Sequence, residues 1–136
     1  RNMLAFSLFQ KGAGLIYNGE EFSAAHLPSL FESDPIELHG ATDLSGLISR
    51  LAALKHKPVF STGNYTIQAE NESVMSVTYT DDSKKIVGYF AFSPFVGEVD
   101  CQLPAGDYQN AIDQTMVVIA DSKFKFTGEP VIIGTI

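Results

Sequence analysis

The chain has 136 residues, enough for one domain that buries roughly two-thirds of the surface its unfolded form would expose. Its 16 acidic and 9 basic residues give a net charge of -7, which disfavours nucleic acids and anionic membranes as partners. Cys101 is the single cysteine, so an intrachain disulfide and a thiolate zinc cluster are excluded. We expect no cofactor. The lone cysteine favours a cytoplasmic location, which the sequence otherwise leaves open.

The N-terminal run MLAFSLF predicts a helix over residues 2–10, which the glycines of KGAG end. Only Arg1 and Asn2 precede this run, and neither marks a helix start. Arg1 is also not an initiator methionine. We therefore expect the chain to be a fragment whose N-terminal segment exposes apolar surface through which copies could self-associate.

The next run, LIY at residues 15–17, predicts a short buried parallel strand because its apolar residues are consecutive rather than alternate. The polar connection over residues 18–40 contains two prolines and far exceeds the usual median of ~4–6 residues, and such loops are commonly functional. A helix should follow, with Thr42 or Asp43 at its N-cap and Pro58 stopping it. One apolar stripe predicts that helix: Leu44, Leu47, Ile48, Leu51 and Leu54.

From Val59 onward the pattern changes to short β-prone runs between Gly, Pro, Asn, Asp and Ser clusters. About eight such runs predict an antiparallel sandwich. We place the domain boundary there, giving segments 1–58 and 59–136. The predicted strands are NYTIQAE, SVMSVTYT, KIVGYFAFS, GEVDCQL, DYQNAI, TMVVIA, KFKFT and PVIIGTI.

The stretch FQKGAGLIYNGEEF resembles the eighth-strand motif of the alpha-amylase family of glycoside hydrolases. Gly14 stands where the family usually has proline. The resemblance continues in order, because MLAFSLF is similar to the seventh barrel helix, DPIEL to the loop after the strand, and LSGLISRLAALKHKP to the eighth helix. The closing stretch resembles the C-terminal sandwich. The motif positions that match are Gly12, Ile16, Tyr17, Asn18, Gly19 and Glu21.

This resemblance implies a chain that is mainly β, with an N-terminal α/β segment. That segment would be the last βα unit of a (β/α)8 barrel, and an antiparallel β-sandwich would follow it. The family is a retaining one that acts on alpha-glucosidic bonds of starch-like glucans. Its nucleophile, general acid and third carboxylate come from strands four, five and seven, so we expect no activity from this chain alone. Substrate would bind through the missing barrel.

The candidate site residues lie at the end of the predicted strand and in the loop after it. Asn18 and Glu21 would support loops near the substrate cleft from its rim, and His26 could bind a sugar hydroxyl or lie on the loop surface. Glu20 and Glu21 point to opposite faces of an extended chain, which argues against a catalytic pair. His26, His39 and His56 lack companions spaced for a metal site, so we expect none.

The alternative function is a non-catalytic module in which exposed aromatic side chains of the sandwich hold a glucan or a protein partner. Alternating spacing instead indicates that most of these aromatics are core residues. Cys101 alternates with Val99 and Leu103, so we expect a buried thiol. The aromatics concerned are Tyr65, Tyr79, Tyr89, Phe90, Phe92 and Phe95.

Overall fold

A computed structural model describes residues 1–24, 26, 28–29, 31–36 and 42–135. Within these residues the helical elements precede all of the strands, and no helix is long and apolar enough to cross a bilayer. The helical elements are α1 (Asn2–Phe9), a 3-10 turn (Glu20–Phe22), α2 (Ser45–Lys55) and α3 (Val59–Thr62). The strands are β1 (Asn64–Ala69), β2 (Val74–Thr80), β3 (Lys85–Ala91), β4 (Gly97–Asp100), β5 (Gly106–Gln109), β6 (Met116–Ile119), β7 (Lys123–Phe126) and β8 (Val131–Gly134).

The strands pair antiparallel, as the recurrent turn clusters predict. One sheet has the order β1-β2-β3-β8, while β4 pairs with β7 and β5 pairs with β6. Inward residues of the two smaller sheets, such as Val99, Ile119 and Phe124, pack against Val87 and Tyr89 of the four-stranded sheet. All eight predicted strands are present, and the antiparallel β-sandwich is confirmed.

The four-stranded sheet is covered on both faces, because the helices pack on the side that faces away from the smaller sheets. Alternate residues of β2 and β3 point to each side, so Tyr79 and Phe90 face the helices while Val87 and Tyr89 face the sandwich interior. Helix α1 packs on β3 and α3 on β2, while α2 packs against α1. Their buried residues are Ala5, Leu8, Phe9, Leu47, Leu51 and Leu54.

Gly88 of β3 lets α1 approach the sheet closely. A Cβ atom at this position would lie 2.7 Å from Cε1 of Phe9, which is too short for a real contact. The absent side chain therefore creates the space in which the Phe9 ring lies, against Phe60, Tyr79 and Phe90. A glycine inside a strand is thus explained by helix packing.

The N-terminal segment differs from the sequence prediction in two places. Residues 15–17 form no strand, and Leu15 is 88% exposed, because none of the described strands lies beside them to share backbone hydrogen bonds. The second helix forms as predicted, but Leu44 occupies its N-cap while Asp43 Oδ1 accepts the N–H of Ser45. The predicted loop 18–40, including His39, lies partly outside the described residues.

Candidate functional site

The Asn18-Gly19 pair forms a tight turn rather than a hairpin. The N–H of Glu20 donates to the carbonyl oxygen of Tyr17 at 3.0 Å, and Gly19 has φ +99° and ψ −14°. A type I′ hairpin turn requires positive φ at both central residues, and Asn18 is not among the residues with positive φ. The geometry is that of a type II turn, which requires glycine only at its third position.

Both glutamates that follow the turn bind its backbone. Glu20 Oε2 accepts the N–H of Tyr17 at 3.0 Å, and Glu21 Oε2 accepts the N–H of Gly19 at 2.8 Å. Glu20 is exposed, whereas Glu21 is half-buried. Since each carboxylate is bonded to the turn beside it, the two side chains fix the conformation of the turn.

The turn is in contact with the start of α2. The N–H of Leu44 donates to the carbonyl oxygen of Glu21 at 2.6 Å, and Ser23 Oγ donates to the carbonyl oxygen of Thr42 at 3.2 Å. A Cβ atom on Gly19 would lie 2.9 Å from Cγ2 of Ile36, so this glycine is required by space as well as by φ. We call residues 17–24 the rim turn.

His26 belongs to a second network, separate from the rim turn. Its Nε2 lies 2.6 Å from Oδ2 of Asp34, which also accepts the N–H of Ser29 at 2.9 Å. The hydrogen bond from Ser29 has the largest effect on the pKa of Asp34, and the bond with His26 comes next. Together they hold this pKa below its ordinary value. Among the described residues, no hydrogen bond joins His26 to Asn18 or Glu21. The structure thus brings together two of the three predicted site residues.

Phe31 is a surface residue that the sequence reasoning missed. Its side chain is 96% exposed, and Ser29 Oγ accepts the N–H groups of both Phe31 and Glu32 at 3.2 Å. Side chain to backbone bonds of this kind order a short loop locally. The signal in the sequence was a phenylalanine between polar residues in a segment without apolar periodicity.

The described residues offer few groups that could bind a metal ion or a polar ligand. They contain no group of three or more His, Cys, Asp or Glu side chains arranged to hold a metal ion. An open groove of about 380 Å³ runs between the end of α1 and the side of α2, lined mainly by Leu8, Ile16, Ile48 and Leu51. Lys55 and His56 lie at its edge. The groove is mostly apolar and offers few groups that could orient a polar ligand.

The aromatic residues of the sandwich do not assemble into one exposed platform. Tyr79, Tyr89 and Phe90 are buried, which agrees with the core interpretation. Phe92 is 45% exposed but packs edge-on against Phe6, with ring centroids 4.9 Å apart. Cys101 is buried, as its spacing predicts.

Comparison with known proteins gives one family and a consistent set of structures. Residues 66–133 match the family model described as the bacterial alpha amylase C-terminal domain. An alpha-amylase from Lactobacillus plantarum is 31% identical with a TM-score of 0.91, over 99% of this chain and 32% of that one. The chain therefore spans about a third of the length of that structure. No curated protein sequence matches it.

Two less similar structures share the fold. A noncanonic maltogenic alpha-amylase from Thermotoga neapolitana is 20% identical with a TM-score of 0.75, over 99% of this chain and 36% of that one. A gamma-CGTase from alkalophilic Bacillus clarkii is 18% identical with a TM-score of 0.75, over 98% of this chain and 22% of that one. In each, the matched region is a minor part of a longer protein.

Proposed function

Because the chain belongs to the family of bacterial alpha-amylase C-terminal domains, we propose that it is the C-terminal part of a glycoside hydrolase acting on alpha-glucosidic bonds. The catalytic carboxylates and most of the substrate cleft would lie in segments outside these 136 residues. Within the complete enzyme, the β-sandwich would hold α1 and the rim turn against the catalytic barrel. The observation that carries this role is that both ends of α1 are bonded to the sandwich.

The first end is held by Asn2. Its Oδ1 accepts the N–H of Ala91 at 3.0 Å, at the end of β3, and its Nδ2 donates to the carbonyl oxygen of Gly128 at 2.8 Å. Arg1 and Glu129 add an exposed ion pair at 3.3 Å. One side chain thus connects the first turn of the helix to two separate parts of the sandwich.

The other end is held by tyrosines and lysines. Tyr79 donates its buried hydroxyl to the carbonyl oxygen of Phe9 at 2.8 Å, and Lys11 Nζ donates to the carbonyl oxygen of Gly63 at 3.1 Å. Gln10 accepts hydrogen bonds from Tyr65 and Lys55. The carbonyl groups of Phe9 and Gln10, where the helix ends, are therefore bonded by Tyr79 of the sandwich and Lys55 of α2.

These contacts support a positioning role, because α1 leads directly into residues 11–24. A helix fixed at both ends restricts where the following chain can go, and groups held by a rigid neighbour lose less entropy when they act on a substrate. We propose that Asn18 and Glu21 support the loops of the cleft from this position. His26 would lie in the following loop, where Asp34 holds its Nε2 and its Nδ1 would meet a sugar hydroxyl.

The experiment uses the complete enzyme, with its upstream coding sequence, and starch or a malto-oligosaccharide as substrate. We expect Glu21→Ala to lower kcat by roughly tenfold with little change in KM, since misplacement of a rim loop affects the reacting geometry more than binding. Glu21→Gln keeps an acceptor oxygen for Gly19 and should restore most of the activity. Glu72→Ala, at an exposed glutamate between β1 and β2, is the matched control and should leave kcat unchanged.

The outcomes separate the two parts of the proposal. A complete enzyme that releases no reducing ends from any alpha-glucan would contradict the function itself. A Glu21→Ala enzyme with unchanged kcat would contradict only the positioning role. The 136-residue chain alone should release no reducing ends, and adding malto-oligosaccharides to it should give no saturable change in tyrosine fluorescence. A saturable change would support the alternative of a carbohydrate-binding module.

A further inference from the structure

Strand β1 forms an open edge of the four-stranded sheet. It is the first strand in the order β1-β2-β3-β8, and it pairs with β2 over its whole length, from Asn64 opposite Thr80 to Ala69 opposite Met75. Five of its six residues are exposed and the sixth is half-buried. Within the part of the chain that the structure describes, no strand or loop pairs with its other side.

The register shows which backbone groups are free. The N–H of Glu70 donates to the carbonyl oxygen of Val74 at 2.9 Å, which continues the pairing of β1 with β2. Hydrogen-bonded pairs alternate along an antiparallel ladder, so the even-numbered residues of β1 bond to β2. The N–H and C=O groups of Tyr65, Ile67 and Ala69 therefore point outward, away from the sheet.

This edge carries none of the features that usually prevent edge-to-edge pairing. The strand NYTIQA contains no charged residue and no proline, and its register with β2 is unbroken by a bulge. Natural sheets protect exposed edges with such residues, because a row of unpaired backbone groups is a template for another strand. An unprotected edge of six residues is suited to one specific kind of partner, another extended strand.

We propose that β1 pairs antiparallel with β1 of a second copy of this chain, about a two-fold axis at Ile67. The three outward residues are symmetric about that position, so Ile67 faces Ile67 of the second copy while Tyr65 faces its Ala69. Each such pair exchanges two backbone hydrogen bonds. The interface is isologous and limits the assembly to two copies, because each copy pairs its β1 edge with the other and has no second β1 edge.

Side chains on the edge are compatible with this register. Ile67 is 45% exposed and would lie directly against its counterpart, an apolar cross-strand pair. Glu70 follows one end of the strand, and Lys11 donates to the carbonyl oxygen of Gly63 before the other end. Antiparallel alignment brings the Glu70 end of one copy toward the Lys11 end of the other. In this register Glu70 of one copy lies opposite Asn64 of the other, and the six strand residues carry no charge.

Sedimentation velocity on the 136-residue chain over a range of concentrations tests the proposal. We expect a monomer–dimer equilibrium whose dissociation constant rises by at least about tenfold in Ile67→Lys, which places two like charges on the axis. Val118→Lys is the matched control, because Val118 is a 60% exposed strand residue of β6. It should leave the dissociation constant unchanged. Circular dichroism checks that both variants keep the fold.

Cross-linking tests the register independently. Cα atoms of a hydrogen-bonded antiparallel pair are about 5.5 Å apart, within the range of a disulfide. Ile67→Cys should therefore form a disulfide-linked dimer on mild oxidation, whereas Thr66→Cys, one residue off the axis, should link poorly. A chain that stays monomeric at every concentration overturns the proposal. So does association that Leu15→Lys abolishes and Ile67→Lys does not, which would assign it to the exposed N-terminal segment.

Discussion

The sandwich and the segment between α1 and α2 use tyrosine and phenylalanine in opposite ways. In the sandwich, Phe90 and Tyr79 are fully buried, and each contacts residues far away in the sequence. In the segment between α1 and α2, Tyr17 and Phe31 are exposed, and the side-chain hydrogen bonds of Glu20 and Glu21 reach only two or three residues along the chain. One region is held by long-range packing, the other mainly by local turn bonds.

This difference indicates where a substitution acts. Loss of a buried contact in the sandwich changes the free energy of global unfolding, because the two core clusters share the four-stranded sheet between them. Loss of a turn bond changes a local opening equilibrium that leaves the core intact. A substitution in the rim turn should therefore act on that turn alone, whereas a substitution of a helix-facing residue of β2 or β3 should act on the whole fold.

The largest effect is expected from a matched pair of phenylalanines. Phe90→Ala removes a ring that packs on Phe6 and Phe9, and should lower the free energy of unfolding by about 3–5 kcal/mol. Phe31→Ala, at a 96% exposed site, should change it by less than about 0.5 kcal/mol. Urea unfolding followed by circular dichroism measures both. Equal effects would remove the distinction between the two regions.

The next effect concerns a buried hydroxyl. Burial raises the pKa of Tyr79, so its hydroxyl stays protonated and donates to the carbonyl oxygen of Phe9. Tyr79→Phe leaves that oxygen without its partner and should cost about 1–3 kcal/mol in the same unfolding measurement. Tyr17→Phe, on a 47% exposed side chain, should cost nothing measurable. A neutral Tyr79→Phe would argue that the helix end is held by its other contacts.

Two glycines give effects of opposite sign. Gly46 lies in α2 with open space where a Cβ would be, so Gly46→Ala should stabilise the chain by roughly 0.5–1 kcal/mol. Gly19→Ala places a Cβ 2.9 Å from Ile36 at positive φ, and should instead open the rim turn. Hydrogen exchange would then show faster exchange at the N–H of Glu20 and no change in β3. A stabilised Gly19→Ala chain would contradict the turn geometry.

The smallest effect is a local response to acid. The pKa of Asp34 is lowered from its ordinary value of 3.8, so the bonds from Ser29 and His26 are fully formed above that pH. As the pH falls through the lowered value, Asp34 gains a proton and the network loosens. The amide signal of Ser29 should then shift in NMR spectra. In Asp34→Asn this shift should be absent, and amide signals of β3 should not follow the same titration.

Much of the sandwich could be predicted from local sequence because its signals are local. Alternating apolar residues and turn clusters identified the eight strands, and the leucine stripe identified α2, although its N-cap is Leu44 rather than Thr42 or Asp43. The strand expected at residues 15–17 was wrong for this chain because a strand exists only beside another strand. The rim residues Asn18 and Glu21 came from a motif, whereas Phe31 and the Asp34 network had no periodic signal.

By itself the sequence determined the eight strands, the helices α1 and α2, the buried aromatic residues of β2 and β3, and which family the chain resembles. These properties depend on the side chains of a few neighbouring residues. Only the tertiary structure decided that helices cover the outer face of the four-stranded sheet, that Asn2 joins α1 to the sandwich, and that β1 remains an open edge. Those features depend on contacts between residues distant in the sequence, which no local pattern encodes.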